Sequence, residues 1–112
     1  MIGKIVKVLV DRPLGSCHPK HDDIVYPINY GYIPGMMAPD GEEQDVYILG
    51  VDIPLETFRG KIIAAIRRAD DNEDKLVAAP EGMTFSAEEI RKATWFVEKY
   101  FDSTIDVLEE QS

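Results

Sequence analysis

The chain has 112 residues, 45% hydrophobic and 29% charged, which supports one folded domain spanning residues 1–112 and excludes a wholly disordered chain. Twenty-one acidic against twelve basic side chains give a formal charge of −9 with no basic stripe, which excludes a nucleic-acid partner held through phosphate contacts. No apolar run is long enough for a membrane span, no signal-peptide pattern opens the chain, and the lone Cys17 has no disulfide partner; no membrane and a cytoplasmic location are expected.

Residues Ile2 to Val10 read as a strand, apolar and β-branched with Lys4 and Lys7 interspersed, ended by Pro13 and Gly15. The polar stretch Pro13 to Asp23 is a loop. From Ile24 to Gly35, aromatic and β-branched residues favour extended structure. Pro27, Pro34 and two glycines are expected to break it into short, bent pieces suited to the wall of a small barrel. Pro39-Asp40-Gly41 is a turn, Asp45 to Asp52 a strand, and Gly60 to Arg68 a largely buried strand. Asp70 to Asp74 forms an acidic turn into the strand Lys75 to Ala79. Ser86 and Glu89 form a capping-box pair opening a helix, with Ile90, Ala93, Phe96, Val97 and Tyr100 at helical spacing and Trp95 and Phe101 widening its apolar face. Strands followed by a helix give a mainly β (α+β) fold, either a small barrel with a covering helix or an open sheet.

Two acidic clusters stand out. In Asp40-Gly41-Glu42-Glu43-Gln44-Asp45, Asp40 and Glu42 project the same way if the chain is extended. Asp45 sits where the turn enters a strand. Carboxylates converging there repel one another unless cations occupy the site, and oxygen-only donors point to a hard cation, Mg2+ or Mn2+. The alternative is a solvated acidic turn. The second cluster, Asp70-Asp71-Asn72-Glu73-Asp74, is a hairpin tip alone but completes a metal-binding ring if it meets the first. Such a ring suits phosphoryl chemistry, in which metals hold phosphate oxygens and acidify a water. Lys20, Lys75, Tyr30 and Tyr100 are candidates for the phosphate side, each also readable as a surface charge or a core phenol. His18 and His21 lie three apart, but no further soft ligand accompanies them toward zinc.

The run Tyr26-Pro27-Ile28-Asn29-Tyr30-Gly31-Tyr32-Ile33, followed after a short spacer by Asp40-Gly41-Glu42-Glu43-Gln44-Asp45, resembles the signature of the family I soluble inorganic pyrophosphatases. That family reads tyrosine-proline-x-asparagine-tyrosine-glycine-tyrosine-isoleucine, then aspartate-glycine-aspartate-proline-x-aspartate. Asp11, Lys20-His21-Asp22, Asp70 with Glu73, Lys75 to Pro80 and Trp95 to Tyr100 follow in family order. The resemblance implies a small five-stranded barrel of the oligonucleotide-binding (OB) topology with a C-terminal helix packed outside, several magnesium ions, and hydrolysis of pyrophosphate to two phosphates. Carried over by position, Asp40, Asp45, Asp70 and Glu73 bind metal, with Asp45 bridging two ions. Glu42 takes the place of the aspartate acting as base toward the nucleophilic water. Lys20, Tyr30, Lys75 and Tyr100 hold phosphate oxygens, and Asp11 and Asp22 are outer acidic residues. Assembly into a homo-oligomer is also implied.

Several positions depart from the family. Glu42 reaches one methylene further than the usual aspartate. The acidic turn before Lys75 is short, leaving Asp70 and Asp71 as alternatives. The hairpin that bears a phosphate-binding arginine is missing between Asp23 and Tyr26, and Arg12 is not at its matching place. Phe101 stands where the family has a lysine. Beside pyrophosphate hydrolysis, two readings stay open: a catalytically weak module that binds metal or a phosphorylated ligand, and a hydrolase of a larger phosphoanhydride admitted by a more open pocket.

Overall fold

The computed structural model describes residues 2–39, 41–69 and 74–107. Its strands are β1 (Ile5–Arg12), β2 (Asn29–Met37), β3 (Glu43–Ile48), β4 (Thr57–Arg68) and β5 (Asp74–Ala79), followed by helix α1 (Ala87–Glu98) and strand β6 (Ser103–Val107). The sheet runs β1-β2-β3-β5-β4, and β1 also pairs with β4, so five strands close into a barrel. β3 and β5 run parallel and the other barrel pairs antiparallel. This is the OB arrangement expected from the resemblance, and closure leaves no unpaired edge within the barrel. β6, which no sequence signal marked, lies outside the ring and pairs with β4.

Twelve residues allow β4 to serve three partners. Its first half pairs with β1, from Thr57 to Lys61, and its last five residues pair with β6. β5 lies along its other side. The run Ile62 to Ile66 is buried throughout because both faces of this strand are covered.

Alternation along the strands splits the core in two. Val46, Ile48, Ile62, Ala65, Leu76 and Ala78 pack with Val8 and Ile33. Their neighbours Tyr47, Ile63, Ala64, Ile66, Val77 and Ala79 form the second cluster with Tyr26, Tyr30 and Ile90 of α1. Each valine, leucine or isoleucine among them stabilises the fold by about 1.5–3 kcal/mol when fully buried.

The run from Ile24 is broken by a bend at Pro27 and Ile28, as expected, but Pro34 and the glycines, contrary to expectation, sit within one nine-residue strand, β2. A register shift between Tyr32 and Met37 absorbs the curvature that the proline and glycines require. Gly31 is needed for a different reason: a Cβ there would stand 2.0 Å from the Leu9 carbonyl oxygen, so β1 and β2 could not approach as they do.

α1 starts as its sequence predicts. Ser86 Oγ accepts from the Glu89 backbone N–H (3.1 Å), and Glu89 Oε1 accepts from that of Ser86 (2.9 Å). Ile90 is buried, with Ala93 and Phe96 packed beside it. Two expectations are corrected. Trp95 is 48% exposed and does not widen the buried face. The helix ends at Glu98, so Tyr100 lies in the turn beyond it. Among the described residues, no helix is long and apolar enough to cross a membrane.

Candidate active site at the barrel wall

Three predicted site residues meet. Tyr30 on β2, Asp45 on β3 and Lys75 on β5 come from adjacent strands, since β3 lies between the other two. Lys75 Nζ donates to the Tyr30 hydroxyl at 2.9 Å and to Asp45 Oδ2 at 2.5 Å. The Tyr30 hydroxyl also hydrogen-bonds Asp45. The Lys75 side chain is only 7% exposed and that of Asp45 is 28% exposed, so the ion pair is partly desolvated and opens on one side. Burial, reinforced by the Asp45 carboxylate, pushes the Tyr30 phenol far above its ordinary value. Tyr30 is therefore a neutral hydroxyl at any physiological pH, a donor to an anionic oxygen.

Asp11 is the fourth member. In the β1–β2 register, Val10 faces Gly31 and Arg12 faces Tyr30, so Asp11 is the extra residue of a β-bulge. Its carboxyl is raised from the ordinary 3.8, chiefly by partial desolvation, with the Asp45 carboxylate adding and Arg12 and Lys75 opposing. Asp11, Asp45, Lys75 and Arg12 thus share one electrostatic neighbourhood.

Arg12 is a residue that the sequence reading set aside. The bulge carries it opposite Tyr30, where Nη1 donates to the Tyr26 hydroxyl at 2.8 Å. Its guanidinium carbon lies 5.6 Å from the Tyr30 ring centroid and 5.8 Å from that of Tyr26, within cation–π range. Arg12 comes from β1, not from a separate hairpin, yet puts a cation beside Tyr30. The signal that finds it is cross-strand pairing, which requires the bulge to be placed correctly.

The other predicted residues are placed differently. Lys20 and Asp22 are exposed in the loop before β2, where the Lys20 backbone N–H donates to His18 Nδ1 at 3.1 Å. Glu42 is exposed beside the turn between β2 and β3, whose Ala38 N–H donates to the Glu42 carbonyl at 2.7 Å. Tyr100, 65% exposed, lines a cavity of about 440 Å³ between the His18–Ile24 loop and the chain beyond α1. Asp40, Asp70, its alternative Asp71, and Glu73 lie outside the described residues.

Two buried polar assemblies frame the site and were not anticipated. Asn29, fully buried, accepts at Oδ1 from the backbone N–H groups of Leu14 (2.9 Å) and Leu55 (3.0 Å) and donates from Nδ2 to the Ile53 carbonyl (2.9 Å). It ties two loops to the start of β2. Glu98 at the end of α1 receives Arg68 Nη2 (2.6 Å), Arg68 Nε (3.1 Å) and the Tyr47 hydroxyl (2.7 Å). Phe101 covers the Arg68 guanidinium at 3.6 Å. Phe101, standing where the resemblance expects a lysine, thus shields a structural cation.

The donors around Asp45 are suited to a divalent ion. Asp45 and Asp11 offer carboxylate oxygens only, the chemistry of a hard cation. Partial desolvation and mutual repulsion raise Asp11, and a bound cation would relieve both. Among the described residues no group of three metal-ligating side chains converges.

Comparison with known proteins bears on the family and the fold. The profile of the family described as inorganic pyrophosphatase matches residues 4–107. "Soluble inorganic pyrophosphatase 2" of Chlamydomonas reinhardtii is 34% identical over 83 residues, covering 68% of this chain and 43% of that protein. The "Inorganic pyrophosphatase" of Halobacterium salinarum is 36% identical over 81 residues, covering 66% and 41%. The chain spans about half the length of the curated relatives it matches. Among solved structures, the inorganic pyrophosphatase from Ehrlichia chaffeensis superposes with a TM-score of 0.73 at 18% identity, covering 96% of this chain and 88% of that one. The Neisseria gonorrhoeae inorganic pyrophosphatase gives 0.63 at 25% identity, covering 88% and 74%. With the profile spanning nearly the whole chain, this protein belongs to the inorganic pyrophosphatase family.

Proposed function

We propose that this chain hydrolyses inorganic pyrophosphate to two phosphates in a magnesium-dependent reaction in the cytoplasm. The observation that carries the reading is the Lys75–Asp45–Tyr30 cluster, in which an ammonium, a carboxylate and a neutral phenol from adjacent strands meet. Asp45 with Asp40, Asp70 and Glu73 would hold the ions, and Asp11 would supply negative charge beside them. Bound Mg2+ supplies an acidified water and neutralises phosphate oxygens.

The protein's own groups do the rest. Asp45 holds the Lys75 ammonium with its tip at the barrel wall. That ammonium fixes an anionic phosphate oxygen with a charge-assisted hydrogen bond, and the Tyr30 hydroxyl, whose single proton faces Asp45 in this structure, would turn to the same oxygen once a bound ion takes up that carboxylate. Holding the diphosphate in one orientation removes much of the entropic cost of the displacement. Glu42, in the turn preceding Asp45, is the base that accepts a proton from the attacking water. Its longer side chain lets it reach from an exposed position. Lys20 and Tyr100 complete the cationic and hydroxyl contacts from the loop and the end of the helix.

The test is phosphate release from pyrophosphate with Mg2+ by the wild type, Asp45→Ala and Lys75→Met. Asp45→Ala should lose at least about a hundredfold in kcat/KM, equivalent to two steps of ~1.4 kcal/mol. Lys75→Met should fall as well. Release unchanged in Asp45→Ala contradicts the proposal. Phe101 over Arg68 favours a second reading, a weakly catalytic module binding metal or a phosphorylated ligand, because one expected cationic contact is replaced by an apolar cover. That reading predicts a melting temperature raised by Mg2+ and pyrophosphate together, through linkage, without phosphate release.

A further inference from the structure

The cavity beside α1 shares only Tyr100 with the contacts proposed for pyrophosphate, and its other lining residues have no role there. His18, His21, Asp23 and Ile24 form one wall, and Tyr100 and Phe101 the other. Its volume of about 440 Å³ lies in the range of small-molecule sites, roughly 300–1,000 Å³. The lining is mostly apolar and ring-bearing, with few polar groups, the combination that binds a flat heteroaromatic ring by stacking and fixes it by hydrogen bonds. Asp23 supplies an acceptor. His18 Nδ1 accepts from the Lys20 backbone N–H, which leaves the ring proton on Nε2 as a donor.

A continuous run of contacts joins this cavity to the cluster around Asp45. The His18 ring lies nearly parallel to that of Tyr26, 11° between planes and 6.3 Å between centroids. The Tyr26 hydroxyl accepts from Arg12. Arg12 lies over Tyr30, and Tyr30 accepts from Lys75. The nearness of Arg12 and His18 is also electrostatic: after burial, Arg12 is the next cause lowering the His18 pKa. Lys75 stands at one end of this run and Arg12 midway, so an anion held by both would direct an attached group toward the cavity. Tyr100, assigned above to a phosphate oxygen, lines that same cavity.

We infer that the cavity receives the base of a nucleoside 5′-diphosphate, whose diphosphate takes the place of pyrophosphate at Lys75 and Tyr30, with Arg12 facing the phosphate that carries the nucleoside. The inference rests on the proposed hydrolytic function and adds a substrate class to it. In the reaction, a water oxygen forms a bond to the terminal phosphorus and the anhydride P–O bond breaks. The electron pair leaves on the oxygen of the nucleoside monophosphate, and the water's proton passes to Glu42 and then to solvent. The products are nucleoside monophosphate and inorganic phosphate, and no oxidant or further reactant is required.

The experiment measures phosphate release from ADP and from pyrophosphate, each with Mg2+, by the whole chain and by Ile24→Trp and His21→Ala. The first variant fills the cavity. The second removes one exposed ring and leaves the core untouched. The wild type should hydrolyse both compounds. Both variants should raise KM for ADP, Ile24→Trp by about tenfold or more, with KM for pyrophosphate changed less than about twofold. Turnover of pyrophosphate without turnover of ADP overturns this inference alone. So does an equal change in both KM values in His21→Ala. If neither compound is hydrolysed, the function proposed above falls, and calorimetric titration with ADP decides the cavity. Binding weakened in both variants supports it, and no binding, or binding unchanged in His21→Ala, overturns it.

Discussion

Asn29 shows how much one side chain of the signature contributes before any chemistry. Its three hydrogen bonds satisfy backbone groups of Leu14, Ile53 and Leu55, and it is completely buried. Asn29→Leu keeps the volume roughly but leaves three backbone groups without this partner. Each unsatisfied group costs about 1–3 kcal/mol, so urea unfolding should show a loss of at least that size. Asp11 makes an opposite case. Its carboxyl is held above 3.8, mainly by partial desolvation. A raised acid binds its proton more tightly in the folded state, so it costs stability above its folded value and nothing below 3.8. Without divalent ions, Asp11→Asn is therefore expected to be more stable than the wild type at neutral pH. The gain should disappear as pH falls through the Asp11 titration toward 3.8. Melting temperatures across that range check it, and Mg2+ should shrink the difference by stabilising the wild-type carboxylate.

At the scale of elements, the charged hub at Glu98 joins three parts of the fold. Tyr47 belongs to β3 two residues after Asp45, Arg68 ends β4 just before the acidic turn, and Glu98 ends α1 two residues before Tyr100. Removing one member of a buried ion pair leaves the other uncompensated and costs ~3–5 kcal/mol. Glu98→Ala should therefore destabilise the fold by that order in chemical denaturation, with near-ultraviolet circular dichroism reporting the changed surroundings of Tyr47. The strands and the capping box were legible because alternation, apolar runs and the Ser86–Glu89 spacing are local signals. β6 was not, because Ser103–Val107 is short and gains its identity by pairing with β4. The hub was hidden because a glutamate and an arginine read as surface residues until tertiary contacts bury them. Trp95 reversed that error: the helical pattern offered more apolar positions than the barrel could cover.

Across the whole molecule, the strand order β1-β2-β3-β5 brings Asp11, Tyr30, Asp45 and Lys75, distant in sequence, to one place. The spacing of the signature revealed Asp45 and Tyr30, and family order supplied Asp11 and Lys75. Arg12 escaped because a one-residue bulge decides which of two neighbours faces Tyr30. Lys20, Asp22 and Tyr100 lie on the loop and the end of the helix, where reach depends on a ligand, not on register. With about half the length of its curated relatives, this chain forms the closed barrel and the Asp45 cluster. The most direct test is phosphate release from pyrophosphate by the unmodified chain, followed as Mg2+ is added and then chelated. Release should rise with Mg2+ and stop on chelation. No release at any Mg2+ concentration, or release that persists after chelation, would contradict the proposed function.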